Sequence, residues 1–238
     1  MPPHANWAHL YDSAYEEAYG VRYKYLTDLT VDTVQTLGNP PLSVVDFGAG
    51  TGRLTIPLSE RGYAVTAVEP CQQMLNVLQE KACERRLQVQ SFVQSMQDFD
   101  GAGKFDIALC VFTTVIYLLD ENSLREGIAK FVQSLKVGGK LLIDIPKRAA
   151  FTSLQFENHN LKRDVTVTRF DGNIYNYREQ IKRNFNGHQE EIEDNFQIRF
   201  WPSEIVLDAL REAGSDWEGP INGFEGTGAD YYSGTRSR

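Results

Sequence analysis

Four apolar, branched runs punctuate the first 146 residues: "LSVVDFG", "YAVTAVEP", "FDIALCVF" and "KLLIDIP". They hold too few polar positions for a strand with one wet face, so each reads as a strand buried on both sides. Helical patterns separate them. "CQQMLNVLQEKACERR" places Met74, Leu75, Leu78 and Ala82 near one face, and "SLREGIAKFVQSLK" does the same with Leu124, Ile128, Phe131 and Leu135. Ser123 is the expected cap of the second helix and Gly138-Gly139 its expected end. Strand and helix in alternation, with continuous apolar strands, predict a mostly parallel sheet covered on both faces. Ahead of the first run, residues 7–37 read as one helical stretch, ended by Asn39-Pro40-Pro41 because proline disfavours helix for its predecessor.

After Pro146 the period changes. "DVTVTRF", "NIYNYREQIKRNF" and "EIEDNFQIRF" alternate apolar and polar residues, with hairpin turns expected at Asp171-Gly172-Asn173 and Asn186-Gly187. The pattern predicts an antiparallel insertion within 151–200. "WPSEIVLDALREAGS" returns to helix, starting at Pro202 or Ser203 and ending at Gly214. The tail from Trp217 predicts a weak closing hairpin with frayed last residues. Three segments result: a helical lid over 1–40, a core of 41–150 and 201–238, and the insertion over 151–200.

The segment after the first strand, Gly48 to Arg53, has almost nothing to pack. At a strand-to-helix junction the N–H groups are free and the helix dipole points outward, so small residues let a ligand approach the backbone. A tight turn without a ligand is the alternative. The spacing is GxGxG, preceded by Asp46, rather than the GxGxxG of a dinucleotide site, and no Gly-Lys-Ser or Gly-Lys-Thr makes it a P-loop. Glu69 ends the next strand, well placed to hold both hydroxyls of a ribose. Pro57 falls early in the following helix and removes one of its hydrogen bonds.

Composition narrows the classes. The 238 residues carry a net charge of −8, which disfavours a general nucleic-acid binder. Three cysteines, Cys71, Cys83 and Cys110, without CxxC spacing fit a reducing cytosol, so a cytoplasmic location is expected. No apolar run is long enough to span a membrane, and "MPPHANWAHLYD" lacks the regions of a signal peptide. His4, His9, His159 and His188 form no HxxxH or HxH pair, so no metal site is expected.

"VVDFGAGTGR", "AVEPCQQML", "FDIALCVFTTVIYL" and "SLKVGGKLLIDI" resemble, in order and spacing, the successive motifs of class I S-adenosylmethionine-dependent methyltransferases. The resemblance covers about residues 40–146. It implies an α/β fold: a doubly wound, Rossmann-like, seven-stranded mostly parallel sheet with an antiparallel insertion after the fifth strand. Residues 11–25 and the insertion resemble, more loosely, the small-molecule branch, some of whose members methylate amines, including amino sugars and glycine.

The resemblance implies S-adenosyl-L-methionine as cofactor and places residues around it. Gly48, Ala49 and Gly50 would lie against its methionine part and Glu69 on the ribose, with Asp46, on the strand before the loop, also among the cofactor-binding residues. Met74 would cover one adenine face. Ser95 stands where the family usually has an aspartate, so adenine recognition would rest on the Met96 backbone N–H and a weaker contact from the Ser95 hydroxyl. Cys110 would offer backbone near the cofactor's amino group. Tyr11 and Tyr15, on one helical face by their four-residue spacing, pack on the sheet or act as a lid meeting cofactor or substrate.

Methyl transfer from a sulfonium needs alignment and a dry pocket, and a base only if the nucleophile arrives protonated. Tyr117 in "VFTTVIYLL" is the first candidate for orienting or deprotonating it, and His159 in "FENHN" is the second; each has a plain alternative, as a packed tyrosine and a surface histidine. Tyr175 and Tyr177 share one strand face and are the expected roof of the acceptor pocket, with Arg199 or Trp201 at its rim. The acceptor expected is the nitrogen or oxygen of a small molecule, with no nucleic-acid or membrane partner and with a homodimer left open. The rival classes are a nucleotide-dependent dehydrogenase and a non-catalytic cofactor-binding scaffold.

Overall fold

A computed structural model describes residues 2–185 and 188–238. Seven strands form the main sheet: β1 (Ser43–Phe47), β2 (Ala64–Val68), β3 (Gln90–Phe92), β4 (Phe105–Cys110), β5 (Leu135–Pro146), β10 (Ser215–Glu218) and β11 (Ala229–Arg236). Their order is β10-β11-β5-β4-β1-β2-β3. The five strands from β5 to β3 run parallel, and β11 pairs antiparallel with β5 from Ala229 against Pro146 to Thr235 against Lys140. The parallel strands are apolar on both sides because both sides are covered. Val45 and Phe47 face α5 (Glu121–Ser134) and α6 (Ser203–Glu212), in a core with Phe131 and Leu210. Val44 faces the other way, toward Val31 and Val34 of α2 (Val21–Leu37) and Leu58 of α3 (Thr55–Glu60). This is the doubly wound sheet expected.

The insertion follows β5 as a second, four-stranded antiparallel sheet: β6 (Leu154–Glu157), β7 (Leu161–Asp171), β8 (Ile174–Phe185) and β9 (His188–Arg199). The expected turn at Asp171-Gly172-Asn173 joins β7 to β8, with Gly172 at φ +51°. The expected Asn186-Gly187 turn lies outside the described residues.

Local expectations are corrected in four places. The N-terminal helix is three pieces, a 3-10 segment (Ala5–Leu10), α1 (Tyr11–Tyr19) and α2, and Gly20, at φ +54° and ψ −135°, separates the last two. The cap of α5 is Asp120, whose carboxylate accepts Ser123 N–H at 2.9 Å and which sits three residues earlier than the expected Ser123. That helix ends at Ser134, and Gly138-Gly139 fall inside β5. The closing hairpin is not weak: β11 lies between β5 and β10, and it buries Tyr231 and Tyr232 against the two faces of the sheet. Pro57 takes one hydrogen bond from the first turn of α3 without breaking the helix, which runs on to Glu60. Ile56 N–H bonds Gly52 O and Leu58 N–H bonds Leu54 O, both at 3.0 Å, and Pro57 between them has no N–H to give. Among the described residues no helix is long and apolar enough to cross a membrane.

Candidate active site

The carboxyl ends of β1, β2 and β4 open on a cavity of about 290 Å³, where ligands enter open α/β sheets. The glycine loop forms its floor. At Gly48 (φ +71°) a β-carbon would stand 2.5 Å from Thr114 Oγ1, so only glycine lets the loop pass under the segment after β4. At Gly50 (φ +55°) a β-carbon would meet nothing nearer than Met74 Cε at 3.6 Å. That position is left free on the cavity side, and a larger residue would fill it.

Glu69, 8% exposed at the tip of β2, accepts Gly50 N–H at 3.0 Å and Cys71 N–H at 2.8 Å. Burial raises its carboxyl above the usual range, against the two N–H groups that favour the charge. Asp46 lies under the loop and accepts the Thr55 hydroxyl at 2.7 Å; burial pushes its carboxyl up to about 7. Met74 of α4 (Gln72–Glu84), Met96 and Ser95 line the far wall. The Ser95 hydroxyl donates to Asp98 at 2.6 Å, so it does not stand free.

The N-terminal helices are tied over this loop. Thr51 Oγ1 donates to Asp12 at 2.7 Å, Lys81 pairs with the other Asp12 oxygen at 2.5 Å, and Lys81 also donates to Thr51 O at 2.6 Å. Arg53 donates to the Thr27 hydroxyl and Tyr23 carbonyl of α2 and lies between the Tyr23 and Phe112 rings, 3.8 and 3.7 Å from their centroids. Tyr11 lines the cavity and stacks on Tyr15, ring centroids 4.4 Å apart.

A second cavity of about 200 Å³ lies between the N-terminal helices and the inner face of the second sheet. Its walls are aromatic and aliphatic: Tyr15, Phe151, Val165, Tyr177, Phe196 and Ile198. Tyr177 and Phe196, paired across β8 and β9, stack at 4.6 Å. Among the described residues Arg163 is its one cationic wall, 1% exposed, and pairs with equally buried Glu179 at 2.5 Å. Its guanidinium also donates to Tyr19 at 3.1 Å and lies 4.4 Å from the Tyr15 ring centroid. Two residues, His4 and Tyr117, line both cavities, and their Nε2 and hydroxyl oxygen are 2.9 Å apart.

Most residues singled out in the sequence converge here. Tyr11, Asp46, Gly48, Ala49, Gly50, Glu69, Met74, Ser95, Met96 and Tyr117 border the first cavity, and Tyr15, Tyr177 and Tyr117 the second. Others do not. Cys110 is fully buried in the core beside Val45 and Phe131, and the chain reaches the cavity one residue later, at Val111 and Phe112. His159 is exposed in the turn between β6 and β7 and borders neither cavity. Tyr175 shares the inward face with Tyr177 but stops beside Phe151, its hydroxyl accepting from Arg148 at 3.0 Å. Trp201 is 2% exposed and donates to Leu118 O at 2.9 Å; Arg199 stacks on it at 4.1 Å and donates to Leu119 O. These two brace the segment that carries Tyr117 instead of edging a cavity. The sequence reading missed His4 and Arg163. The inward charge at Arg163 was readable only from its in-phase position with Leu161 and Val165.

Comparison with known proteins agrees with this architecture. Residues 44–139 match the family described as Methyltransferase domain. An uncharacterized methyltransferase of Bacillus cytotoxicus is 34% identical over 146 residues, 57% of this chain and 62% of the relative. The chain spans between 41% and 62% of the length of the curated relatives it matches. An S-adenosylmethionine-dependent methyltransferase from Clostridium acetobutylicum has the same fold at TM-score 0.84 and 16% identity, covering 97% of this chain and 99% of that one. The amino pentose methyltransferase CalS10 from Micromonospora echinaspora, solved with S-adenosylmethionine bound, follows at TM-score 0.77 and 22% identity, covering 95% and 96%.

Proposed function

We propose that this chain, which carries a methyltransferase domain over residues 44–139 within the class I methyltransferase fold, transfers a methyl group from S-adenosyl-L-methionine to a nitrogen or oxygen of a small molecule. The observation that carries the reading is the junction of two cavities at Tyr117, one over the glycine loop and one under the second sheet.

The first cavity fits the cofactor. The free position above Gly50 admits a ligand against the backbone, and Glu69 presents a buried carboxylate where a ribose would lie. Met74, Met96 and Ser95 would border the adenine. When bound, S-adenosylmethionine supplies a methyl group already activated by the sulfonium charge. The protein's share is alignment and exclusion of water. The N-terminal helices, fixed by Asp12, Thr51, Lys81 and Arg53, supply the exclusion. Tyr117 supplies a polar group at the point where the acceptor cavity meets the cofactor cavity.

The acceptor cavity supports a small molecule without an acidic group, since the guanidinium on its wall is already neutralised by Glu179. CalS10 is an amino pentose methyltransferase, and its shared architecture puts amino sugars among the first acceptors to try. The test is incubation of the purified chain with methyl-labelled S-adenosylmethionine and a panel of small amines, alcohols and amino sugars, read by mass spectrometry. Cofactor binding with label transferred to one panel class is the expected result. Binding of a nicotinamide cofactor with none of S-adenosylmethionine at millimolar levels would replace this reading by the dehydrogenase. Tight binding without transfer across the panel would favour the scaffold.

A further inference from the structure

We infer that His4 is a positioning residue that takes the Tyr117 hydroxyl proton in a hydrogen bond, so that Tyr117 offers only lone pairs to the acceptor, which must then carry an N–H or O–H on the atom to be methylated. The inference rests on the methyl-transfer reading and narrows it to a substrate class.

His4 is 7% exposed and fixed at both ends. Its backbone N–H donates to Asp194 at 2.6 Å, and its ring packs edge-on against Trp7, Tyr11 and Phe196, with centroids 5.1 to 5.3 Å away. The imidazole therefore cannot swing aside without leaving the wall between the two cavities. Its two nitrogens face different partners. Nε2 is 2.9 Å from the Tyr117 hydroxyl oxygen. Nδ1 has no hydrogen-bond partner among the described residues and lies 3.8 Å from Glu179 Oε2.

That asymmetry selects the tautomer. A neutral imidazole has one N–H and one lone pair. Burial raises the Glu179 carboxyl above its usual range, but the Arg163 guanidinium at 2.5 Å favours its charged form, and a carboxylate oxygen facing Nδ1 favours the proton there. Nε2 is then the bare nitrogen, and Tyr117 must be the donor in the 2.9 Å contact. Burial, with the Arg163 charge adding to it, pushes the imidazole down to about 3, so it stays neutral at physiological pH.

With its one proton committed to His4, the Tyr117 oxygen can only accept from a ligand. A neutral primary or secondary amine or a hydroxyl can pair with it and be held toward the cofactor cavity; the amine reacts through its lone pair and leaves as an ammonium, whereas the hydroxyl's proton passes to solvent. A tertiary amine or a carboxylate offers no hydrogen there and would leave a buried oxygen without a partner. A hydrogen bond of this kind is worth roughly a factor of ten.

Long-range 1H–15N NMR of the histidine rings in the full chain tests the tautomer without any acceptor. His4 is assigned by difference with His4→Gln or, should that variant not fold, by the set His9→Gln, His159→Gln and His188→Gln. The expected spectrum has Nδ1 protonated and Nε2 bare, with the Nε2 resonance moving in Tyr117→Phe. A protonated Nε2 overturns the inference whatever the enzyme methylates. In the acceptor panel, label should reach primary and secondary amines or alcohols at least about tenfold faster than matched tertiary amines and carboxylates; equal rates overturn it too. Absence of transfer to every compound would count against the methyl-transfer reading, and the NMR result would still decide the tautomer.

Discussion

The Glu69 carboxylate holds Gly50 N–H at 3.0 Å, so one side chain both shapes the glycine loop and faces the cavity above it. Its replacement therefore acts twice. Glu69→Ala should weaken S-adenosylhomocysteine binding by more than Glu69→Gln, whose amide oxygen can still accept one backbone N–H. Hydrogen bonds to a charged group are worth about 1.5–3 kcal/mol, or roughly 10- to 100-fold in affinity. Calorimetry reads both variants, and wild-type affinity in each would reduce Glu69 to a loop brace.

Asp12 joins the first helix to the glycine loop through Thr51 and Lys81. Asp12→Ala removes both partners at once while leaving the main sheet untouched. Hydrogen exchange should speed up over residues 5–19 with little change in the strands, and cofactor affinity should fall. Uniform exchange across the chain would mean that the helices are held by packing alone.

Tyr117→Phe keeps the ring and removes the hydroxyl. Turnover should fall, by about tenfold or more, with S-adenosylhomocysteine affinity nearly unchanged, because the hydroxyl acts on the acceptor rather than on the cofactor. Steady-state kinetics with an acceptor from the panel, paired with calorimetry, separates the two. Equal losses in both would place the hydroxyl at the cofactor.

Arg163 and Glu179 form an ion pair with both side chains 1% exposed. Removing either partner leaves an uncompensated buried charge, which costs about 3–5 kcal/mol, whereas removing both costs much less. Denaturant unfolding of Arg163→Met, Glu179→Leu and the double variant should show that non-additivity. Additive losses would mean that water reaches the pair.

Asp46 and Asp144 are raised by burial from 3.8 to about 7. The folded protein then keeps protons that the unfolded chain releases, so these groups favour folding fully below about pH 4 and lose that contribution as pH rises through about 7. Asp46→Asn and Asp144→Asn should each flatten this fall across that window. Urea midpoints measured between pH 4 and 8 check it, and an unchanged slope would show both carboxyls ionised when folded.

Asp144 shows how a carboxyl at a strand end shapes the site. It accepts Thr113 N–H with both oxygens, at 3.0 and 3.1 Å, and so holds Phe112 and Thr113 at φ +58° and +70°. That strained bend, of the kind found at functional sites, turns the segment after β4 toward Tyr117. Nothing in "CVFTTVIY" marks it, because neither residue is glycine or asparagine.

The parallel sheet, the glycine loop and the place of Glu69 were legible in the chain's local pattern. Each is encoded locally, by apolar runs of strand length, by residues without side chains at a strand-to-helix junction, and by an acid at a strand tip. The tyrosine spacing likewise put Tyr11 and Tyr15 on one helical face, where they stack. Tertiary structure alone decided what stands between the cavities. His4 meets Tyr117 across 113 residues, a contact fixed by how the N-terminal segment docks and by no local period. Arg163 and Glu179 sit at inward positions of strands whose alternation would send charge outward. They are tolerated there because each neutralises the other, and a pairing across two strands and a turn leaves no mark in either strand's own pattern.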